Sequence, residues 1–183
     1  MASNRPIKLL ITGGPGSGAT STGQIIAERL KIKQLDSDTF FHKPTDPPYQ
    51  IQYSPSERHH LLHQAIDKHE NWLLTGSIAA WGIDDIVFSH AVMLNPGKDL
   101  RLKRLKSRET NRFGHRIQAN GDMFTEHIEF MAWAAHYESG DLEGRSLPLE
   151  RNFITHHCRS QIEITSHDPL ELIADRITDY LNS

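Results

Sequence analysis

Cysteine is nearly absent from this sequence. Cys158 is the only cysteine among 183 residues, so the chain cannot form an internal disulfide. A single thiol is compatible with a reducing compartment, where disulfides are rare. A chain of this length can instead bury a sizeable hydrophobic core.

Long hydrophobic runs are also absent. No apolar stretch approaches the roughly 20 residues that are needed to span a bilayer. The apolar run at 7–12 is too short for the hydrophobic region of a signal peptide and leads into glycines instead of a cleavage site. We therefore expect a cytoplasmic protein that has no membrane partner.

The sequence has no large excess of charge of either sign. It contains 20 Lys and Arg against 23 Asp and Glu, which gives a formal net charge of -3. This balance gives no reason to expect nucleic acid as a partner. The length predicts a single domain over 1–183, and the oligomeric state is left open.

Strand and helix patterns alternate along the chain. This alternation predicts an α/β fold, a three-layer α/β/α sandwich around a parallel five-stranded sheet. Segments at about 39–70 and about 108–146 extend the pattern, and we expect both at the carboxyl ends of the strands, where ligands bind in such sheets. The predicted strands are 7–12, 33–35, 72–75, 91–95 and 161–165, and the predicted helices are 19–30, 54–70, 99–112, 122–137 and one that begins near 168.

A glycine-rich segment after the first strand predicts a phosphate-binding loop. Glycines let backbone N–H groups turn toward a phosphate, and the dipole of the following helix adds attraction. Thr20 is placed to offer its hydroxyl to Mg²⁺. The residues predicted to bind the nucleotide are Gly13, Gly14, Pro15, Gly16, Ser17, Gly18, Ala19, Thr20 and Ser21.

Ala19 stands where such loops carry a lysine that offsets charge on the transferring phosphoryl group. A charge contact near ~4 Å is worth about 4 kcal/mol in a partly screened site, which corresponds to roughly a thousandfold in rate. Three explanations are open: another cation replaces the lysine, the protein binds nucleotide without efficient catalysis, or alanine is an engineered replacement.

The loop resembles the phosphate loop of adenylate kinases and related small-molecule kinases. The layout is similar as well, with Asp36-Ser37-Asp38 after the second strand, a strand end near Gly76, a basic helix over 101–116 and a capped final helix. The chain also resembles bacterial adenylate-kinase-like ATPases that have a residue other than lysine at this position. The resemblance implies ATP and Mg²⁺ as ligands and transfer of the γ-phosphoryl group to a small acceptor.

Asp36 and Asp38 resemble the Asp-x-Asp pair of shikimate- and gluconate-type kinases. The resemblance implies that Asp36, with Thr20, faces the Mg²⁺ ion and that Asp38 orients or deprotonates the acceptor hydroxyl. The strand at 72–77 lacks a terminal Asp, which leaves the ordering of Mg²⁺ to Asp36 or Asp38. The alternative is a helix N-cap or a solvated turn.

Arg101, Arg104, Arg108 and Arg112 recur at intervals of three and four, so they share one face of a helix. Arginines of the lid in similar kinases clamp the transferring phosphate. We predict that Arg108 and Arg112, nearest the lid turn, act as catalytic residues in place of the missing lysine. The alternative is a solvated basic face.

The acceptor is expected to lie between the insert at about 39–70 and a helical lid at about 108–146. Aromatic side chains there could stack on a ring, whereas the alternative is a proline-stiffened surface loop. Arg145 is expected to reach a phosphate across the lid. The predicted substrate-binding residues are Asp36, Lys43, Arg58, Gly76, Trp81 and Arg145.

The sequence therefore favours a small-molecule kinase that uses Mg²⁺ and ATP. A nucleotide, a nucleoside or another hydroxylated metabolite is open as the acceptor. One alternative is a non-catalytic nucleotide-binding module resembling a pseudokinase, and another is an ATPase that acts with a protein partner. The absence of an Asn-Lys-x-Asp motif makes GTP the less expected nucleotide.

Overall fold

A computed structural model describes residues 5–141, 144–165 and 167–183. Five parallel strands form one sheet with the order β2-β3-β1-β4-β5, so the first strand of the chain is central. The strands are β1 (Lys8–Gly13), β2 (Lys33–Asp36), β3 (Trp72–Thr75), β4 (Phe88–Leu94) and β5 (Cys158–Ile164).

Helices cover both faces of this sheet. The described residues form α1 (Ala19–Leu30), α2 (Asp38–Phe41), α3 (Pro55–Ile66), α4 (Lys98–Phe113), α5 (Phe124–Ala134), α6 (Leu147–His157) and α7 (Leu170–Leu181), with a 3-10 turn at Gly114–Ile117. Within the described ranges, none of these helices has both the length and the apolar character required to cross a membrane.

The central strand divides the core in two because successive side chains of a strand point to opposite faces. Leu10 packs in one buried cluster with α3 and α6, whereas Leu9 and Ile11 pack in a second cluster with α1 and α7. The predicted three-layer α/β/α sandwich with a five-stranded parallel sheet is confirmed.

Helix α1 packs closely on β3 because Gly23 has no side chain at the contact. A Cβ atom at this position would overlap Cγ2 of Thr75. Gly23 also costs helix propensity, so close packing is the reason for glycine here. The close approach seats the phosphate loop, which precedes α1, beside the carboxyl end of β3.

The start of α3 follows from local sequence. Ser54 accepts a hydrogen bond from the Glu57 N–H, the Glu57 carboxylate accepts one from the Ser54 N–H, and Pro55 occupies the first turn. These reciprocal bonds form a capping box, whose pattern of serine, proline and glutamate is visible in the sequence. The helix ends at Ile66, before the predicted end near 70.

Two helices were not predicted. Helix α2 is a single turn at the start of the insert predicted at about 39–70. Helix α6 begins after Ser146, whose hydroxyl accepts a bond from the Leu149 N–H, and Pro148 lies in its first turn. That N-cap and proline pattern is a local signal for α6.

Strands β4 and β5 both begin three residues earlier than predicted. Phe88 pairs with Cys158, and the pairing continues to Leu94 and Ile164. Strand β5 lies at the edge of the sheet, and its first residues are polar or half-exposed. An edge strand can expose part of its surface, so apolar periodicity did not mark its start.

We predict that Gly23→Ala destabilises the fold, although alanine is the better helix former. Overpacking against Thr75 should lower the free energy of unfolding by about 1–3 kcal/mol. Urea denaturation measures the change. Gln24→Ala, an exposed change in the same helix, should stay within about 0.5 kcal/mol of wild type. Unchanged or increased stability of Gly23→Ala would contradict this packing argument.

Candidate active site

A cleft of about 1350 Å³ opens at the carboxyl ends of the strands. It exceeds the roughly 300–1,000 Å³ that is typical of a site for one small molecule, so it has room for two. Both predicted inserts contribute side chains to it. The predicted site residues that line it are Gly14, Pro15, Gly16, Ser17, Gly18, Ala19, Thr20, Ser21, Asp36, Asp38, Arg58, Gly76, Trp81, Arg108, Arg112 and Arg145.

The glycine-rich loop has the backbone of an anion-binding turn. Gly16 and Gly18 have φ angles of 87° and 95°, in the left-handed region that favours glycine. The Ser17 N–H donates to the Gly14 carbonyl at 2.9 Å, which closes the turn before α1. Helix α1 is 12 residues long, so its N-terminal dipole can attract a phosphate.

Arg101 fixes this loop by a hydrogen bond from outside the cleft. Its side chain is 1% exposed, and its Nη1 donates to the Pro15 carbonyl at 2.7 Å. Its Nη2 donates to the Ala134 carbonyl at 2.7 Å, and two further bonds reach the Glu138 carboxylate. Arg101 therefore ties the loop to the end of α5 and does not line the cleft.

Thr20 and Asp36 form an oxygen-rich pair at the mouth of the loop. The Thr20 hydroxyl donates to Oδ2 of Asp36 at 3.2 Å, and the Asp38 N–H donates to Oδ1 at 3.0 Å. Burial, followed by the charge of Asp38, raises the pKa of Asp36. Hydroxyl and carboxylate oxygens are ligands that suit Mg²⁺.

The end of β3 positions Asp38. The Ser37 N–H donates to the Thr75 carbonyl at 2.9 Å, and the Ser77 N–H donates to the Ser37 hydroxyl at 3.1 Å. Because β2 and β3 are neighbours, these bonds join their ends. They place Asp38 in the first turn of α2, facing the cleft.

Aromatic and basic side chains form the opposite wall. The Arg58 guanidinium lies 3.7 Å from the centre of the Phe41 ring, and the Phe41 and Trp81 ring centres are 5.9 Å apart. Arg58 also donates to the Tyr53 carbonyl at 2.8 Å. Stacking and hydrogen bonding thus hold the Arg58 guanidinium at this wall.

Lys43 lies outside the cleft lining. Its Nζ is 3.1 Å from Oε1 of Glu57 and 5.0 Å from the centre of the Tyr53 ring. Sequence proximity suggested a substrate contact, but the turn after α2 directs this side chain toward the start of α3. In this structure, Lys43 forms an ion pair with Glu57 in the first turn of α3.

Three arginines of α4 line the cleft, and they differ in their hydrogen-bond partners. Arg108 pairs with Glu109 at 3.0 Å, and Arg112 donates to the Tyr49 hydroxyl at 2.6 Å. Among the described residues, the buried Nη1 of Arg104 has no hydrogen-bond partner. Sequence reasoning placed Arg104 on the basic face but did not assign it to the site.

A buried carboxylate that the sequence did not reveal lies beneath the loop. Glu150 is 1% exposed, accepts a bond from the Thr12 hydroxyl at 2.6 Å and pairs with Arg145 at 3.2 Å. Burial raises its pKa, and the Arg145 charge opposes that shift. Arg145 also donates to the carbonyl of Gly13, the first residue of the loop.

The chain is similar to known proteins over almost its full length. A Bacillus subtilis strain 168 protein, the uncharacterized protein YqaC, is 29% identical over 180 residues, which cover 94% of this chain and 96% of that protein. No family model matches the chain.

Two solved structures share the fold. A shikimate kinase from Bacteroides thetaiotaomicron has a TM-score of 0.56 and 17% identity, and the similarity covers 97% of this chain and 99% of that one. A shikimate kinase from Acinetobacter baumannii, in complex with shikimate, has a TM-score of 0.54 and 18% identity, with coverage of 97% and 93%. The chain has the P-loop kinase fold.

We predict that Asp36→Asn stabilises the Mg²⁺-free protein at pH 7. The folded state raises the pKa of Asp36, so ionisation costs stability as the pH rises through that pKa, and asparagine avoids this cost. The gain should vanish at a pH where Asp36 is protonated in both states. Chemical denaturation across pH measures it.

Asp67→Asn, at the exposed C-cap of α3, is the matched control and should stay within about 0.5 kcal/mol of wild type at pH 7. Addition of Mg²⁺ should stabilise the wild type more than Asp36→Asn, because a ligand that binds only the folded state shifts the equilibrium. If Asp36→Asn is less stable than wild type at pH 7, the argument from a raised pKa of Asp36 is wrong.

Proposed function

We propose that this protein is a phosphotransferase that uses Mg²⁺ and ATP to phosphorylate a small hydroxylated acceptor. The observation that carries the proposal is the contact of Thr20 with Asp36 at 3.2 Å, directly beside Asp38, at the mouth of the phosphate loop. This arrangement supports a metal ligand, an acidic group for the acceptor and a phosphate cradle within one cleft.

The loop over Gly13–Ser21 would hold the phosphates of ATP through backbone N–H groups, which every residue of the loop except Pro15 carries. A side chain at Gly16 would overlap the backbone of Arg101, so glycine allows the loop to pack against α4. Bound Mg²⁺ would offset negative charge on the phosphate oxygens. The Thr20 hydroxyl and the Asp36 carboxylate would hold that ion.

Asp38 would orient the acceptor hydroxyl and accept its proton. In the proposed step, the acceptor oxygen forms a bond to the γ-phosphorus, while the bond between the γ-phosphorus and the β–γ bridging oxygen breaks. ADP leaves with the bridging oxygen, and the proton of the hydroxyl passes to the Asp38 carboxylate. Catalysis of this type depends on positioning and charge stabilisation.

Arg58, Gly76 and Trp81 would contact the acceptor, since they line the cleft on the side of α3 and β3. Arg108 and Arg112 belong to the segment at about 108–146, the proposed lid of a single domain. From there they would contact the transferring phosphate. The bond from Arg112 to Tyr49 joins this segment to the acceptor side. Closure over both ligands would exclude water from the transfer.

A non-catalytic nucleotide-binding protein is the second candidate, and Ala19 is the observation that favours it. Titration with ATP and Mg²⁺, followed by turnover assays on a panel of hydroxylated metabolites, separates the two. Binding without turnover on a broad panel favours the second candidate. Turnover of ATP without an acceptor would instead favour an ATPase.

We predict that Asp38→Asn lowers kcat for phosphoryl transfer by on the order of 10²- to 10⁴-fold, the usual contribution of a general base. The affinity for ATP should change little because the loop is intact. A coupled assay of ADP release and calorimetric titration measure the two quantities. Asp67→Asn is the control and should keep wild-type turnover. Full activity of Asp38→Asn would exclude Asp38 as the base.

A further inference from the structure

The missing lysine leaves a specific charge to be supplied. Ala19 lines the cleft at the first turn of α1 and its side chain carries no cation. A replacement must lie at the phosphate loop itself, because charge stabilisation falls with distance and with solvent screening. The contacts of each arginine in the cleft therefore decide which one qualifies.

Arg108, Arg112 and Arg58 are held by contacts away from the loop, whereas the buried Nη1 of Arg104 has no hydrogen-bond partner among the described residues. Arg108 is 54% exposed and pairs with the neighbouring Glu109. Arg112 bonds to Tyr49, and Arg58 stacks on Phe41. In the described part of the chain, Arg145 is the cleft-lining arginine that donates a hydrogen bond to the loop, through the Gly13 carbonyl.

Glu150 fixes the position of Arg145. Helix α6 carries Glu150 in its first turn, and its carboxylate reaches β1, where it accepts a bond from Thr12 at 2.6 Å. Its other oxygen accepts a bond from Nε of Arg145 at 3.2 Å. Since Glu150 is 1% exposed, the packed core holds the carboxylate and the carboxylate holds the guanidinium.

The guanidinium retains capacity for a ligand. It has five N–H donors, and the bonds to Glu150 and Gly13 use two of them. Its side chain is 20% exposed, at the border between the core and the cleft.

We propose that Arg145 supplies the positive charge at the γ-phosphate that Ala19 cannot supply, and that Glu150 is its positioning residue. This inference rests on the proposed binding of ATP, but not on the transfer reaction. The cation enters the site from the segment before α6 instead of from α1. Charge and position are thus provided by two residues distant in sequence from the loop.

The test combines Arg145→Ala with Ala19→Lys. Arg145→Ala should lower kcat by on the order of 10³-fold, the lower range for an arginine that stabilises a transferring phosphate. Ala19→Lys should restore much of this loss in the Arg145→Ala background and add little to the wild type. The effects of the two substitutions should not add, because both cations stabilise the same negative charge on the γ-phosphate.

A binding measurement makes the test independent of catalysis. The ratio of the Kd for ADP to the Kd for ATP, each with Mg²⁺, reports contacts to the γ-phosphate. Arg145→Ala should reduce this ratio by roughly 10- to 100-fold, as for the loss of hydrogen bonds to a charged group. Ala19→Lys should restore it. This readout decides the inference even if the wild type transfers no phosphate.

Glu150→Gln tests the positioning role. Glutamine keeps the shape and can still accept from Thr12, but it does not hold the guanidinium by charge. We expect a smaller loss in the Kd ratio and in kcat than in Arg145→Ala, with restoration by Ala19→Lys. A defect in packing alone would not be restored by a lysine on α1. Arg151→Ala, which breaks a surface pair with Glu163, is the control on α6 and should match wild type.

An unchanged Kd ratio in Arg145→Ala would overturn the inference. A reduced ratio that Ala19→Lys does not restore would overturn the replacement of the lysine, because Arg145 would then act at another place. If Arg145→Ala does not fold, as judged by circular dichroism, Arg145→Gln is measured against the same criteria. Failure to bind ATP at all would instead reject the proposed function.

Discussion

The site depends on one constraint, which is that neighbouring strands of a parallel sheet end at the same edge. In the order β2-β3-β1, the residues after three strands meet there: Asp36 from β2, Gly76 from β3 and the phosphate loop from β1. Backbone bonds through Ser37 and Ser77 join two of these ends. The hydrogen-bond ladder of the sheet therefore brings the groups proposed to bind metal, acceptor and phosphate to one cleft.

Two ion pairs flank the phosphate loop, and each has one buried and one half-buried member. Arg101, paired with Glu138, donates to the Pro15 carbonyl, and Arg145, paired with Glu150, donates to Gly13. Buried pairs cost desolvation energy, so packing stability alone is a weak reason to build them. Their common feature is donation to loop carbonyls, which fixes the backbone of the loop at two positions.

The similarity to shikimate kinases shows the fold and not the acceptor. A fold hosts many reactions, and specificity is decided by side chains at the site. Here the wall proposed to contact the acceptor contains Phe41 and Trp81 beside Arg58, which is held by stacking and by the Tyr53 carbonyl. A planar or partly apolar acceptor would fit such a wall better than a fully hydrated polyol.

Local patterns determined the strand–glycine–helix motif, the Ser54 capping box and the α/β class, because each depends on residues within a few positions of one another. Only the tertiary structure separated the roles of arginines that look alike in sequence. Arg101 is buried and donates to the Pro15 carbonyl of the loop. Another basic residue, Lys43, pairs with Glu57 outside the cleft. Arg145 and Glu150 meet β1 across 132 and 138 residues. No periodicity encodes contacts at that separation, since they arise when helices pack on the sheet.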